Sequence, residues 1–155
     1  MTNCPNNQYC PPGTGASKIN YCPSGTYAPY TNSKSLDDCI PCPYGFYCLS
    51  GQDPADCPKG YYCPKGTRLA TEFPCPSGFY IDTLNAKVKG ECKPCSIGFY
   101  CPDGTPAPIP CPAGTYNDLD NTAKECQTCP AGKYCPQGTT VPLKCAPGMY
   151  SSAGA

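Results

Sequence analysis

The chain has 155 residues, including 17 Cys, 22 Pro, 16 Gly and 13 Tyr, and its 11 basic and 11 acidic side chains give zero formal net charge. Leu, Ile, Val and Phe together supply only 17 residues, well below the roughly 20% that an ordinary hydrophobic core needs. His is absent, which excludes triads with an imidazole base and metal sites with His ligands. This composition predicts a small disulfide-rich fold of short β-ribbons and turns with little or no helix.

Charge and hydropathy exclude two classes of partner. The ten Lys and the single Arg68 are scattered among acids, so no basic stripe is expected to bind nucleic acid. No apolar run approaches the ~18 residues of a transmembrane segment, and MTNCPNNQYC lacks the pattern of a signal peptide. Seventeen cysteines indicate an oxidising compartment. We therefore expect an extracellular protein, secreted or at the cell surface, whose secretory signal lies outside this sequence.

A hexapeptide of the form C-P-x-G-x-Y recurs along the chain. It begins as the degenerate CPNNQY at Cys4 and continues as CPSGTY, CPYGFY, CPKGYY, CPSGFY, CSIGFY, CPAGTY, CPAGKY and CAPGMY. Pro presets the backbone at the second position of a tight turn, and Gly tolerates a positive φ. Asn7, which replaces Gly in the first copy, also tolerates that conformation. The predicted turn glycines are Gly25, Gly45, Gly60, Gly78, Gly98, Gly114, Gly132 and Gly148.

A tyrosine follows each of these glycines by two residues. Its ring can cover a disulfide while the hydroxyl remains in water, and we expect tyrosine to supply most of the missing core. The predicted core tyrosines are Tyr27, Tyr47, Tyr62, Tyr80, Tyr100, Tyr116, Tyr134 and Tyr150.

The cysteine spacing divides the chain into repeats. Residues 1–21 are a partial repeat with a short C-x5-C, and residues 22–74 are an extended cysteine-rich repeat. Residues 75–110 and 111–144 each contain a long loop, then C-x2-C, then C-x5-C. Residues 145–155 begin a further, truncated repeat. The long loops contain polar turns between two cysteines, which predicts a short two-stranded ribbon in each.

Two disulfide registers remain open. The first pairs cysteines within repeats and leaves Cys145 unpaired, with its partner expected beyond residue 155. The second leaves Cys4 odd and must close three C-x2-C bridges, which are tighter and less usual, so the first is preferred. The first register pairs 22 with 39, 75 with 92 and 111 with 126 across long loops, and 4 with 10, 42 with 48, 57 with 63, 95 with 101 and 129 with 135 across short ones. The second pairs 10 with 22, 48 with 57, 63 with 75, 101 with 111 and 135 with 145. The structural cysteines of the preferred register are Cys4, Cys10, Cys22, Cys39, Cys42, Cys48, Cys57, Cys63, Cys75, Cys92, Cys95, Cys101, Cys111, Cys126, Cys129 and Cys135.

No catalytic, metal or cofactor site is predicted. The C-x2-C pairs at Cys39, Cys92 and Cys126 lack the strand and helix context that lowers a thiol pKa in redox enzymes. A zinc site built from these pairs would leave the intervening cysteines without a role. The acidic stretches LDD at Leu36 and YNDLDNT at Tyr116 do not match a calcium loop, so they are interpreted as solvated turns.

The repeats resemble a known class of extracellular module. C-P-x-G-T-Y, about 11 residues, and then C-x2-C-P-x-G is similar to the ephrin-receptor-like cysteine-rich repeats and to the first submodule of tumour-necrosis-factor-receptor repeats. The C-x5-C segments resemble CPxGxYC variants in surface proteins of protists and algae, including the mastigoneme proteins of flagellar hairs. The resemblance implies a disulfide-bonded, elongated row of modules.

These features predict a non-enzymatic structural segment that forms or decorates a surface filament, flagellar hair or coat. The expected partners are neighbouring repeats and other copies of the chain, because zero net charge does not oppose association. O-linked glycans are a compositional hypothesis based on 22 Ser and Thr beside 22 Pro. The alternative function is a receptor ectodomain that presents a protein-ligand surface, and a less favoured one is a secreted inhibitor scaffold.

Overall fold

The computed structural model describes residues 3–13, 19–118 and 124–155. In these ranges no α-helix is present, and the only helical segments are two 3-10 turns at Leu36–Asp38 and Lys89–Glu91. The predicted fold class, a small disulfide-rich protein of short ribbons and turns, is therefore confirmed. The strands are β1 Gln8–Tyr9, β2 Asn20–Tyr21, β3 Thr26–Tyr27, β4 Ile40–Pro41, β5 Phe46–Tyr47, β6 Ala55–Asp56, β7 Phe79–Tyr80, β8 Lys93–Pro94, β9 Phe99–Tyr100, β10 Ile109–Pro110, β11 Thr115–Tyr116, β12 Gln127–Thr128, β13 Lys133–Tyr134 and β14 Leu143–Lys144.

Each strand pairs with its neighbour in sequence to form seven antiparallel two-stranded ribbons. The first strand of a ribbon directly follows a motif Gly or Asn7, and the second directly precedes the first cysteine of a later motif. In β3 and β4, for example, Thr26 lies opposite Pro41 and Tyr27 lies opposite Ile40. Three of the seven ribbons flank the long loops, and in each of these the second strand begins just after the second cysteine of the loop. The short ribbon predicted between the two cysteines therefore has only its first strand inside the loop, and in two of the loops a 3-10 turn directly precedes the second cysteine. The third long loop includes residues 119–123, which lie outside the described residues.

The chain forms two compact units. The first consists of Met1–Phe73 and Thr83–Glu91, and the second of Pro74–Asp82 and Cys92–Ala155. Four motifs lie in the first unit, and they begin at Cys4, Cys22, Cys42 and Cys57. Five motifs lie in the second, and they begin at Cys75, Cys95, Cys111, Cys129 and Cys145.

Cystine forms the buried centre of both units. Among the described residues, twelve cysteines are buried, together with small side chains such as Ala28 and Ala86 and a single large aliphatic side chain, Ile81. The prediction that tyrosine supplies most of the core is wrong: six of the eight repeat tyrosines are half-buried, and Tyr134 and Tyr150 are exposed. Two-residue ribbons give each ring too little surface to be covered completely, so the small cystines take the central positions.

Candidate functional site

Eight disulfides staple the repeated turns. The three long loops are closed by Cys22–Cys39, Cys75–Cys92 and Cys111–Cys126, and five short loops by Cys4–Cys10, Cys42–Cys48, Cys57–Cys63, Cys95–Cys101 and Cys129–Cys135. These pairs are those of the first register. In every pair the Cα atoms lie 5.7–6.0 Å apart, which is ordinary disulfide spacing. Cys145 is a free thiol and is partly exposed.

A tight turn centred on glycine follows the first cysteine of each motif. The eight turn glycines have φ between +79° and +88°, a conformation that L side chains adopt only with strain. In the motif at Cys22, Thr26 N–H donates to Pro23 C=O over 3.0 Å. Pro therefore occupies the first position of the turn and not the predicted second position, and Gly occupies the third, where type II turns need a positive φ.

Three backbone hydrogen bonds join a motif to the next one, and we call this pattern the ladder. In the first bond, Gly25 N–H donates to Cys48 C=O over 2.8 Å; in the second, Cys42 N–H donates to Gly25 C=O over 2.8 Å. In the third, Gly51 N–H donates to Cys22 C=O over 3.1 Å. The same bonds recur in the second unit, where Gly114 N–H donates to Cys135 C=O over 2.7 Å. The motifs therefore satisfy each other's polar backbone groups.

Asparagine replaces glycine at three ladder positions. Asn7, Asn32 and Asn85 have φ of 62°, 67° and 61°. Sequence analysis identified Asn7 but missed the other two, although each follows the first cysteine of a long-loop motif by ten residues. Asn121 shares that spacing but lies outside the described residues. Asn85 also uses its side chain, because Nδ2 donates to Gly45 C=O and to Asp56 Oδ1 over 2.9 Å each.

Motifs also pack closely at their glycines. A Cβ atom added to Gly25 would lie 2.7 Å from Gly66 O, and one added to Gly98 would lie 2.7 Å from Gly138 O. In both cases the obstructing carbonyl belongs to the motif two positions later. Glycine is thus needed at these two positions for two reasons: the backbone has a positive φ, and another turn approaches too closely for a Cβ atom.

The last motif has no cysteine at the short-loop partner position of Cys145. In the short repeats the second cysteine follows the first by six residues, and Ser151 stands at that distance from Cys145. The backbone supports this alignment, because Gly154 N–H, nine residues after Cys145, donates to Cys129 C=O as Gly138 N–H, nine residues after Cys129, donates to Cys111 C=O. The Ser151 hydroxyl donates to Lys133 C=O over 2.6 Å. A serine thus occupies the position of the second cysteine. The constant spacing of six residues in the short repeats could have revealed this substitution from the sequence.

Ser151→Cys is expected to create a ninth disulfide with Cys145. The Cα atoms of the equivalent pair Cys129–Cys135 are 6.0 Å apart, and a loop of this size adds roughly 2 kcal/mol in the chain-entropy model. Alkylation followed by intact mass measurement should find no free thiol in this variant. Ser152→Cys is the matched control, and it should retain two free thiols because its spacing is wrong. Two free thiols in both variants would contradict the assigned equivalence.

Carboxylates cap the 3-10 turns of two long loops. Asp38 Oδ2 accepts from Lys34 N–H over 2.7 Å and from Ser35 N–H over 3.1 Å. Glu91 Oε2 accepts from Val88 N–H over 3.0 Å and also from Lys87 N–H. These backbone hydrogen bonds hold the pKa of Asp38 below its ordinary 3.8 and that of Glu91 below its ordinary 4.5. Each cap directly precedes the second cysteine of its loop.

The pH dependence of stability follows from these lowered pKa values. A carboxylate whose pKa is lower in the folded state stabilises the fold above its unfolded pKa, and that contribution is lost as pH falls through the folded value. The melting temperature of the wild type should therefore decrease as the pH is lowered below about 4. Asp38→Asn should make the melting temperature slightly less dependent on pH in this range. Asp37→Asn removes the same charge from the same loop and leaves the caps in place. Equal pH profiles for the two variants would contradict this role of Asp38.

The structure also bears on the C-x2-C pairs, the acidic stretches and the possibility of a membrane-spanning helix. The cysteines of each C-x2-C pair bond to cysteines elsewhere, so none of these pairs is itself a disulfide or a free dithiol. Among the described residues no cluster of three or more His, Cys, Asp or Glu could hold a metal ion. Part of the acidic stretch at 116–122 lies outside those residues. Within the described ranges, no helix has the length and apolar character needed to span a membrane.

Comparison with known proteins leaves the family open. No protein-family model matches the chain, and no curated protein matches it.

Proposed function

We propose that this chain is a non-enzymatic structural segment of a secreted or cell-surface assembly, such as a filament, hair or coat. The ladder is the observation that carries the proposal. Within each unit, one set of backbone hydrogen bonds is repeated at successive motifs and joins a turn to the next. A structure whose contacts repeat from neighbour to neighbour can be extended by addition of further turns, which is the property that a linear scaffold needs.

The buried groups favour a scaffold over a catalyst. Cystines fill the centres of both units, and disulfides remove the thiols that nucleophilic or redox chemistry would use. The carboxylates Asp38 and Glu91, whose pKa values are lowered, serve as local caps of loops. An extracellular location is part of the proposal because eight disulfides persist in an oxidising compartment.

Electron microscopy of the purified chain tests this function. Non-reduced protein, imaged by negative stain over a range of concentrations, should form ordered linear assemblies. Dispersed single particles at all concentrations would contradict the filament proposal and favour the receptor alternative. A sample treated with a thiol-alkylating reagent should assemble to the same extent, because this control removes disulfide exchange through Cys145.

A further inference from the structure

A cavity opens in the first long loop, and all of its lining lies in the first unit. Its volume of about 450 Å³ lies within the range of about 300–1,000 Å³ that small-ligand sites have. We call it the loop cavity, and its lining includes Tyr30, Thr31, Asn32, Lys34, Asp37 and Ile40.

The lining combines apolar and polar surface. Tyr30 is 78% exposed and Ile40 is 42% exposed, so an aromatic ring and an aliphatic side chain are open to water at the cavity. The carboxylate of Asp37 makes no hydrogen bond or ion pair with any of the described residues. The cavity thus offers an apolar surface beside an acceptor whose hydrogen-bonding capacity is unused.

The polar part of the lining is held in place by the loop itself. Asn32 Oδ1 accepts from Cys4 N–H over 3.1 Å, which orients the amide, and Nδ2 has no acceptor within the described ranges. Asp38 caps the next stretch of backbone through its hydrogen bonds to Lys34 N–H and Ser35 N–H. A ligand would therefore bind to donors and acceptors that are already positioned, and binding would order few side chains.

The second long loop has the same backbone without this lining. Both loops join cysteines 17 residues apart, and Asn85 and Glu91 stand at the positions of Asn32 and Asp38. The residues at the positions of Tyr30, Thr31, Asp37 and Ile40 are Thr83, Leu84, Gly90 and Lys93.

The polar groups of that second loop also bond within the chain. Asn85 Nδ2 donates to Gly45 C=O and to Asp56 Oδ1, and Lys93 Nζ pairs with Asp82 Oδ1 over 2.7 Å. The exposed ring and the unused polar groups of the loop cavity are therefore not required by the loop fold.

A pyranose ring matches this combination of surfaces. Its C–H groups form an apolar face that packs on an aromatic ring, and the hydroxyl groups at its edge donate to a carboxylate or accept from an amide. A wholly apolar ligand would take Asp37 and Asn32 Nδ2 out of water without replacing their hydrogen bonds. The lining has one cation, Lys34, against Asp37 and Asp38, so it does not favour an anionic ligand.

We propose that the loop cavity binds a neutral pyranose unit of a glycan. The sugar ring packs on Tyr30, and its hydroxyl groups hydrogen-bond to the Asp37 carboxylate and to Asn32 Nδ2. The inference goes beyond the proposed function and does not depend on it, because a single chain contains the whole site.

NMR titration of the isotope-labelled chain tests the site. The probes are cellobiose, maltose, lactose, mannobiose and N-acetylglucosamine, each at millimolar concentrations. At least one should cause saturable shifts of backbone amides in residues 30–40 and leave those of residues 83–93 unchanged. Sorbitol is the ligand control, because it carries the same kind of hydroxyl groups without a pyranose ring, and it should cause no saturable shift.

Variants of the lining identify the contacts. Tyr30→Ala should raise the dissociation constant at least about tenfold, as expected for loss of a central aromatic contact, whereas Tyr30→Phe keeps the ring and should bind within about threefold of wild type. Asp37→Asn should weaken binding by about three- to tenfold, because a charged acceptor is lost. Tyr44→Ala is the matched control: Tyr44 is 52% exposed in the same unit, lies outside the cavity lining, and should matter by under about twofold.

The outcomes are distinct. Saturable shifts in residues 30–40 that Tyr30→Ala weakens and Tyr44→Ala does not would support the sugar site. The inference would be overturned by the absence of shifts with every sugar, by equal shifts with sorbitol, or by full binding of Tyr30→Ala. Saturable shifts with a hexaproline peptide alone would indicate a peptide site and would also overturn it. Each of these results leaves the filament test by electron microscopy unaffected.

Discussion

Complete reduction of the chain is expected to unfold it. In the chain-entropy model each disulfide in loops of these sizes stabilises by roughly 2–3 kcal/mol. Loss of eight therefore exceeds the net stability of roughly 5–15 kcal/mol that folded domains have. The few aliphatic side chains cannot compensate, because in the part of the chain that the structure describes Ile81 is the only large one that is buried. Addition of a phosphine reductant should collapse the amide dispersion of an NMR spectrum to that of an unfolded chain.

Selective alkylation of Cys145 provides the control for this experiment. This thiol is outside the eight disulfides, so its modification without reductant should preserve the spectrum. A native spectrum after all sixteen other cysteines have been reduced and alkylated would mean that hydrogen bonds and packing alone maintain the fold.

Gly25→Ala should be much more destabilising than Gly66→Ala. The two glycines have nearly the same backbone conformation, with φ of +87° and +84°, so alanine introduces similar strain of about 1–2 kcal/mol at either site. Only Gly25 is also crowded, because its added Cβ would lie 2.7 Å from Gly66 O. Nothing lies within 4 Å of a Cβ at Gly66. Displacement of a backbone turn should bring the total loss for Gly25→Ala to ~3 kcal/mol or more.

Chemical denaturation under non-reducing conditions compares these two variants. A midpoint that decreases slightly for Gly66→Ala and strongly for Gly25→Ala would show that turns two motifs apart are in contact. Equal decreases would mean that only the local conformation matters and that the close approach of Gly66 to Gly25 is not part of the folded state.

Local spacing was sufficient to predict the stapled turns. The fixed distance from Cys to Gly pointed to a positive φ at Gly25 and its equivalents, and Asn7 was recognised because asparagine also adopts this conformation. The preference for loops of C-x5-C over bridges of C-x2-C led to the pairs that the structure contains, such as Cys42–Cys48. These features depend on residues close in sequence, so one motif contains the necessary information.

Contacts between motifs could not be predicted in the same way. Asn32 and Asn85 were missed because their positive φ serves ladder bonds to Cys4 and Cys57, which lie 28 residues away in each case. The extent of tyrosine burial was overestimated because it depends on how many turns cover each ring. That number is set by packing and not by the C-P-x-G-x-Y pattern. The exposed Tyr150 illustrates this, since its motif matches internal motifs whose tyrosines are half-buried.

Non-reducing peptide mapping by mass spectrometry tests the central claim most directly, namely that disulfides within each repeat hold this fold in place of an apolar core. The expected result is one free thiol at Cys145 and eight linked pairs, with Cys22 joined to Cys39 and Cys42 joined to Cys48 as diagnostic cases. Peptides in which Cys39 is linked to Cys42, or Cys10 to Cys22, would establish the other register and contradict the account.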